Sequence, residues 1–271
     1  MSCIHSTGDV IASNSNPGIK LIRSLQRRKI RLQERAFIVE GVRAVRDVIH
    51  AEMIPRVVYL RDDFDLDLVP HLLDDVPLRR VIAPVFDSLT DVPHPQGILA
   101  VVPMPAESNL PEASSGRAPL LLIVDAVRDP GNLGTLLRSA AGAGADHVVI
   151  TPETVDPYHP RAVRAAMGAH VRVALSHRDW DELATSLKRY DVVALADASG
   201  ETEYDRLSWL RSAALIVGSE AFGPTASARR CATTRVAIPL AGGVESLNAG
   251  VAGSLLLFEA ARQRRANDAL E

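Results

Sequence analysis

Apolar residues recur along this chain in two rhythms. In GIKLIRSLQRR they fall at Ile19, Ile22 and Leu25, the spacing of one helix face. Asn16 and Pro17 stand in front as a cap and a first-turn residue. AFIVE (36–40) and RVVYL (56–60) are short apolar runs that predict strands, with a helical RAVRDVIHAEM between them. RRVI and GILAVV (97–102) add further strands. The first 105 residues therefore predict a small α/β domain.

The rhythm stops at PMPAESNLPEASSGRAP, which is rich in Pro, Ser and Ala. Such a stretch predicts a linker, placed at 106–115, between domains 1–105 and 116–271. Beyond it the apolar runs return: LLLIVD (120–125), HVVI (147–150), VRVAL (171–175), VVALAD (192–197), AALIVG (213–218) and VAIPL (236–240). Helical patterns lie between most of them. Uninterrupted apolar strands alternating with helices predict a parallel sheet covered on both faces.

Composition adds limits. A hydrophobic fraction of 47% and a charged fraction of 23% are those of an ordinary soluble globular protein. The run AGVAGSLLLF (249–258) is too short to span a bilayer and predicts a buried helix. No basic start followed by an apolar core marks a signal peptide, so the expected location is cytoplasmic, with no membrane partner. Cys3 and Cys231 lie far apart, which indicates neither a disulfide framework nor a metal site. His147, His159 and His170 are not spaced as metal ligands and are expected on the surface or in loops.

The net charge of −3 is unevenly spread. Residues 18–46 carry nine Lys or Arg against Glu34 and Glu40, a local balance of +7. Lys20, Arg27, Arg28, Lys29 and Arg31 are the expected contacts to a phosphate backbone. The competing reading of the same charges is a solvated helix face.

In open parallel sheets, ligands bind outside the carboxyl ends of the strands. Here those ends carry DAVRDPGN, ADASG, GSEAFGP and PLAGGVESLN, four polar Gly-containing loops that point to one shared site. DPGNLGTLLRS offers only G-x-x-G, not the dinucleotide-binding GxGxxG, and no GxxxxGK[ST] occurs. Its loop and helix suit either a phosphate-cradling turn or a catalytic site that holds RNA. Arg138 falls off the apolar stripe of Leu133, Leu136, Leu137, Ala140 and Gly144, so packing does not require it. Asn132 suits either helix capping or substrate contact. Glu220, in a Gly-flanked turn, suits either backbone N–H binding or bracing of Arg138 or Asn132. Ser246 and Asn248 precede the last helix, as caps or as groups facing the site.

Three ordered blocks here resemble the SpoU/TrmH (SPOUT-class) RNA ribose 2′-O-methyltransferases. They are DPGNLGTLLRSAAGAGAD with Asn132 and Arg138, LIVGSEAFGP with Gly218, Glu220 and Gly223, and IPLAGGVESLNAGVAGSLLLFEAAR with Ile238, Pro239, Glu245, Ser246, Leu247 and Asn248. TVDPYHPRAVRAAMGAH (154–170) is similar to the family's second loop and helix. The segment from Ser15 to Val45 is similar to the ribosomal-protein-like RNA-binding domain often fused in front. Two positions depart from the common pattern: SEAFG lacks a second Gly directly after Glu, and Ala249-Gly250 follow Asn248.

The resemblance implies a C-terminal α/β domain tied in a deep trefoil knot that binds S-adenosylmethionine, with methyl transfer to a ribose 2′-hydroxyl, chiefly of ribosomal RNA. It implies catalytic roles for Arg138, Asn132, Glu220, Ser246 and Asn248, with Arg138 also touching RNA as base or as phosphate clamp. Ala196, Gly218, Ile238, Leu240 and Leu247 would hold the cofactor. A homodimer is implied, with Leu256, Leu257 and Phe258 expected against the partner. Two rivals remain: a non-catalytic RNA-binding or ribosome-assembly protein on the same fold, and a nucleotide-dependent oxidoreductase, against which the absent GxGxxG counts.

Overall fold

The computed structural model describes residues 10–69, 72–74, 76–111 and 118–269. Cys3 and residues 112–115 of the expected linker lie outside them. The chain forms two compact units: residues up to Pro105 together with Tyr158–Val171, and Ala106–Pro157 together with Arg172–Glu271.

In the first unit, α1 (Pro17–Ser24) starts at Asn16, whose side chain accepts the Gly18 N–H at 2.9 Å. The first helical turn has amide donors without intrahelical partners, and Asn16 satisfies one of them. The short helix α2 (Arg28–Glu34) follows, then β1 (Ala36–Glu40), α3 (Val42–His50), β2 (Val57–Arg61), β3 (Leu78–Val81), α4 (Ala83–Asp87) and β4 (Ile98–Pro103). The sheet order is β1-β4-β2-β3, with β4 antiparallel to both neighbours and β2 parallel to β3. Ile19, Ile22 and Leu25, the predicted stripe, are fully buried with Phe86, Leu99 and Val101 in its core.

The pattern assigns 158–171 to the C-terminal domain, but these residues pack in the first unit. Tyr158 and His170 stack around Phe37 of β1, with ring centroids 4.9 and 5.8 Å away. Arg164 pairs with Asp91 at 2.8 Å. Aromatic burial draws this stretch away from its sequence neighbours.

The second unit begins before the expected linker ends. Glu107 meets His177 at 3.0 Å and Arg178 at 3.3 Å, and Tyr190 donates its hydroxyl proton to the Pro111 carbonyl at 3.0 Å. Residues 106–111 are thus fastened to this unit. Its elements are β5 (Leu120–Asp125), α5 (Pro130–Ala143) and β6 (His147–Ile150). After α6 (Pro160–Ala166), which belongs to the first unit, come β7 (Ala174–His177), α7 (Trp180–Ser186), β8 (Val192–Ala196), β9 (Thr202–Glu203), β10 (Ala213–Gly218), α8 (Ala226–Cys231), β11 (Thr234–Ala237) and α9 (Ala249–Asp268). The strands pair throughout in parallel, in the order β7-β6-β5-β10-β8-β11-β9. Every residue of β5 is buried, as its continuous apolar run requires of a central parallel strand. Helices α5 and α9 pack closely: a Cβ added at Gly253 would fall onto Leu136 Cδ2. Among the described residues no helix is long and apolar enough to cross a membrane.

Two histidines correct the surface reading. His147 is 1% exposed and His170 2% exposed. Only His159 meets the expectation of a loop, capping α6. His147 bonds to Ser176 Oγ through Nε2 at 2.8 Å. Burial, with Arg178 adding, pulls its pKa from 6.5 down to about 4. Unfolding lets the ring take a proton that the folded site refuses. The stability it protects is therefore full above pH 6.5 and lost as pH falls towards 4, by about 3 kcal/mol at most. Urea unfolding at pH 7 and pH 4.5 should show this loss, and His147→Gln should shrink it. Equal losses in both proteins would contradict the assignment.

Candidate active site

The carboxyl ends of β5, β8, β10 and β11 meet at one place, as the sheet order requires. There a cavity of about 250 Å³ opens between the loops. Ala196, Gly218, Ile238, Leu240 and Leu247, all five expected cofactor contacts, line it. Val217 and Leu256 add apolar wall, while Ser219, Glu220 and Ser246 supply polar groups. A mainly apolar slot with a few fixed polar groups is the composition of a nucleoside-sized site. Residues 238–248 belong to no regular element, which leaves their peptide groups outside any ladder. That set suits S-adenosylmethionine: apolar walls for the adenine, loop peptides for its edge and polar groups for the charged end.

The loops are pinned from below and from the side. Asp125, fully buried at the end of β5, accepts the Thr225 N–H at 2.7 Å and the Trp180 indole N–H at 3.2 Å. This ties the loop after β10 to the neighbouring strand. A Cβ at Gly218 would lie 2.7 Å from the Pro224 backbone, so only glycine lets that loop fold back so tightly.

Glu220 gathers the motif residues. Its Oε1 accepts from the Asn132 side-chain amide, from Asn248 Nδ2 at 2.9 Å and from the Ala249 N–H at 3.0 Å. Asn248 Nδ2 also donates to Asn132 Oδ1 at 2.9 Å. One carboxylate oxygen thereby joins α5, the loop after β10 and the start of α9. The alternatives left open resolve here. Asp129, not Asn132, caps α5, accepting the Asn132 N–H at 2.9 Å. Asn248 does both jobs, since its Oδ1 caps α9 through the Val251 N–H at 3.2 Å. Ser246 lies before the helix, exposed, and lines the cavity without capping. Glu220 braces Asn132 rather than Arg138.

The sequence model of the SpoU rRNA Methylase family matches residues 119–258, just over half of the chain. The chain belongs to this family. An MRM3-like substrate binding domain matches residues 16–100 in addition. The chain is 32% identical to the mitochondrial rRNA methyltransferase 3A of Danio rerio, over 87% of this chain and 66% of that one. It thus spans about two thirds of that relative's length. It is 30% identical to the 23S rRNA (guanosine(2553)-2′-O)-methyltransferase of Bacillus subtilis, over 92% of this chain and 97% of the relative. The crystal structure of an AdoMet-bound rRNA methyltransferase from Sinorhizobium meliloti superposes with a TM-score of 0.82 at 27% identity, covering 94% of this chain and 98% of that one.

Within the SpoU portion, Arg138 is exposed on α5, and among the described residues it enters no hydrogen bond or ion pair. Its guanidinium remains available to an incoming anion. Asp197, which motif reading missed, also lines the cavity, as does Arg229, 3.0 Å from it. Burial pushes the Asp197 carboxyl up, but hydrogen bonds from Ser199 and Arg229 outweigh it and hold the carboxyl below the usual range. The signal was its place in ADASG at a strand end. Phe222, 73% exposed on the Glu220 loop, carries the Arg128 guanidinium 5.0 Å above its ring.

The basic segment divides. Lys20, Arg27, Arg28 and Lys29 are exposed. Arg31 is 2% exposed, and its guanidinium donates to the carbonyls of Leu25 at 2.7 Å and Gln26 at 2.8 Å. It satisfies peptide oxygens just beyond α1 and is no phosphate contact. The dimer expectation needs a similar correction. Leu256 and Leu257 are fully buried within the chain. The exposed apolar face of α9 is Val251, Leu255 and Phe258, spaced along one side of the helix.

Proposed function

We infer that this chain transfers a methyl group from S-adenosylmethionine to a ribose 2′-hydroxyl of ribosomal RNA. The observation that carries the reading is the joining of three family motifs on Glu220 at the rim of the apolar cavity. When bound, the cofactor would supply an electrophilic methyl group; the 2′-oxygen takes it as the sulfur–methyl bond breaks, S-adenosylhomocysteine is left, and the hydroxyl proton passes to solvent. Ile238, Leu240, Leu247, Gly218 and Ala196, which line the cavity, would hold the cofactor. Glu220 is a brace rather than a base, because its Oε1 already accepts from three donors. A guanidinium is a planar donor with no acceptor, so Arg138 clamps the phosphate beside the acceptor ribose and orients the hydroxyl. Asn132, Asn248 and Ser246 complete the wall against which that ribose rests.

The finer topology we infer is the family's deep trefoil knot. The seating of α9 against α5, with the irregular 238–248 stretch leading into it, supports that reading. The proposed domains are 1–105, with the 158–171 stretch lodged in it, and the C-terminal domain, which takes in residues 106–111 ahead of the expected start at 116. The setting we propose is cytoplasmic. Incubation with labelled S-adenosylmethionine and rRNA lacking the modification tests the activity. Label should enter the RNA, whereas RNA binding without transfer would favour the non-catalytic rival.

The exposed cations serve RNA binding in this account. Replacing Lys20, Arg27, Arg28 and Lys29 by Ala should flatten the slope of log affinity against log salt by about 3, at roughly 0.7 per lost single-strand contact. Arg31→Ala should leave that slope alone and cost about 2 kcal/mol of stability through two abandoned carbonyls. Filter binding over a salt series and thermal unfolding separate the two outcomes.

A homodimer fits the unpartnered Val251, Leu255 and Phe258 face. Phe258→Asp should yield a monomer in sedimentation velocity at micromolar concentration. An unchanged species would place the interface elsewhere.

A further inference from the structure

Phe222 has no part in the methyl transfer described above, yet its ring is held in place at the edge of that site. Ser219 and Gly223 pair across the turn as an antiparallel bridge, and Gly223 reverses the chain with φ of 66°. Glu220 and Gly223, on either side of Phe222, line the cofactor cavity, so the ring stands at its rim. The cation beside it comes from the other motif loop. Arg128 directly precedes Asp129, the cap of α5, and its guanidinium lies 5.0 Å from the ring centroid. Arg128 Nη2 donates to Glu153 Oε2 at 2.8 Å, which steadies it over the ring. The two loops that the Glu220–Asn132 bond joins are thus joined a second time, by a cation–π contact. Phe222 is 73% exposed even with one face under Arg128, so the opposite face is open. Most of the ring's hydrophobic burial is therefore left unrealised within the chain.

We propose that the open face of Phe222 is a stacking platform for one unpaired base of the RNA, beside the acceptor ribose. The proposal rests on RNA being the substrate and adds a contact that holds the strand at the rim of the site. Unpaired bases are the parts of RNA that proteins splay out and stack on aromatic side chains. A single ring flanked by Ala221 and Gly223 matches one nucleobase, and it offers far less area than a protein interface requires. The guanidinium on the far face draws on the ring's π-electrons, which favours an electron-rich base on the near face. Phenylalanine carries no hydrogen-bonding group, so the platform accepts any base and favours purines only through their larger stacking surface.

The test uses the full chain and a labelled oligouridine of roughly 12 nucleotides with one central adenine, followed by fluorescence anisotropy over a salt series. Phe222→Leu should bind about tenfold more weakly, towards the lower end of what loss of one base–aromatic stack costs. Phe222→Trp should bind at least as tightly as wild type, because it restores a stacking face. The slope of log affinity against log salt should stay the same in both variants, since a stacked base releases no counterions. Melting temperature and S-adenosylmethionine affinity should also stay unchanged, because the ring is exposed and does not line the cavity. In Phe222→Trp, RNA should quench emission beyond any change that Trp180 and Trp209 give in wild type. Leu binding as tight as wild type, Trp binding as weak as Leu, or a flattened salt slope in the Leu variant would overturn the proposal. Because the readout is binding, an absence of methyl transfer would count against the reaction alone. A wild type that bound no RNA would overturn both.

Discussion

Arg138→Ala should slow methyl transfer by a few hundred-fold at saturating RNA and cofactor. The side chain is exposed on α5 and, among the described residues, unengaged, so its removal leaves no buried group unsatisfied and costs the fold little. On the proposed role, what is lost is a preorganised cation holding the phosphate beside the acceptor ribose, a contact typically worth about 3–4 kcal/mol in the transition state. Arg138→Lys keeps the charge and loses the planar fork that grips a phosphate at two points. It should fall between Ala and wild type. Single-turnover kinetics separate this chemical effect from substrate affinity. A rate for Arg138→Ala within about twofold of wild type would make the arginine an ordinary helix-surface residue.

Glu220→Ala should damage rate and cofactor binding together. Three donors lose their shared acceptor at once: the Asn132 amide, Asn248 Nδ2 and the Ala249 N–H. At about 1 kcal/mol for each released contact, the motif loops lose roughly 3 kcal/mol of positioning, or on the order of a hundredfold in kcat/KM. Glu220→Gln distinguishes bracing from charge. All three bonds fall on one oxygen, which the amide can supply, so Gln should retain rate within about tenfold. A Gln variant as impaired as Ala would show that the negative charge itself is required. Because Glu220 lines the cavity, isothermal titration with S-adenosylmethionine should show weakened binding for Ala.

Strands β1, β5, β6 and β10 were legible to the residue, because each is an uninterrupted apolar run bounded by polar loop residues. Strand β7 sits at Ala174–His177 rather than within VRVAL. Its second half, Ser176 and His177, is polar, and Ser176 is buried by its bond to His147, which hydrophobic periodicity does not register. Gly218, Ile238, Leu240 and Leu247 of the cavity wall and the Asn132, Glu220 and Asn248 cluster followed from motifs in three separated segments, and Ala196 from its place at a strand end. The Glu220–Asn132 contact was one of the alternatives left open by the sequence, but the bonds of Asn248 to both were not legible, because those partners lie 28 to 116 residues apart in the chain. Charge counting placed Arg31 with its neighbours. Only the folded chain shows that two carbonyls after α1 need a donor there. On α9 nearly every side carries an apolar residue, so spacing alone failed to separate the buried Leu256 and Leu257 from the exposed Val251, Leu255 and Phe258.

The central claim is that the ribose 2′-oxygen receives the methyl group. RNA labelled by this protein with tritiated S-adenosylmethionine can be hydrolysed completely in alkali, which cleaves each linkage through the free 2′-hydroxyl beside it. A methylated 2′-oxygen cannot attack its neighbouring phosphate, so the account predicts that the label runs as an alkali-resistant dinucleotide. Label recovered in mononucleotides would mean that a base was methylated, and would contradict it.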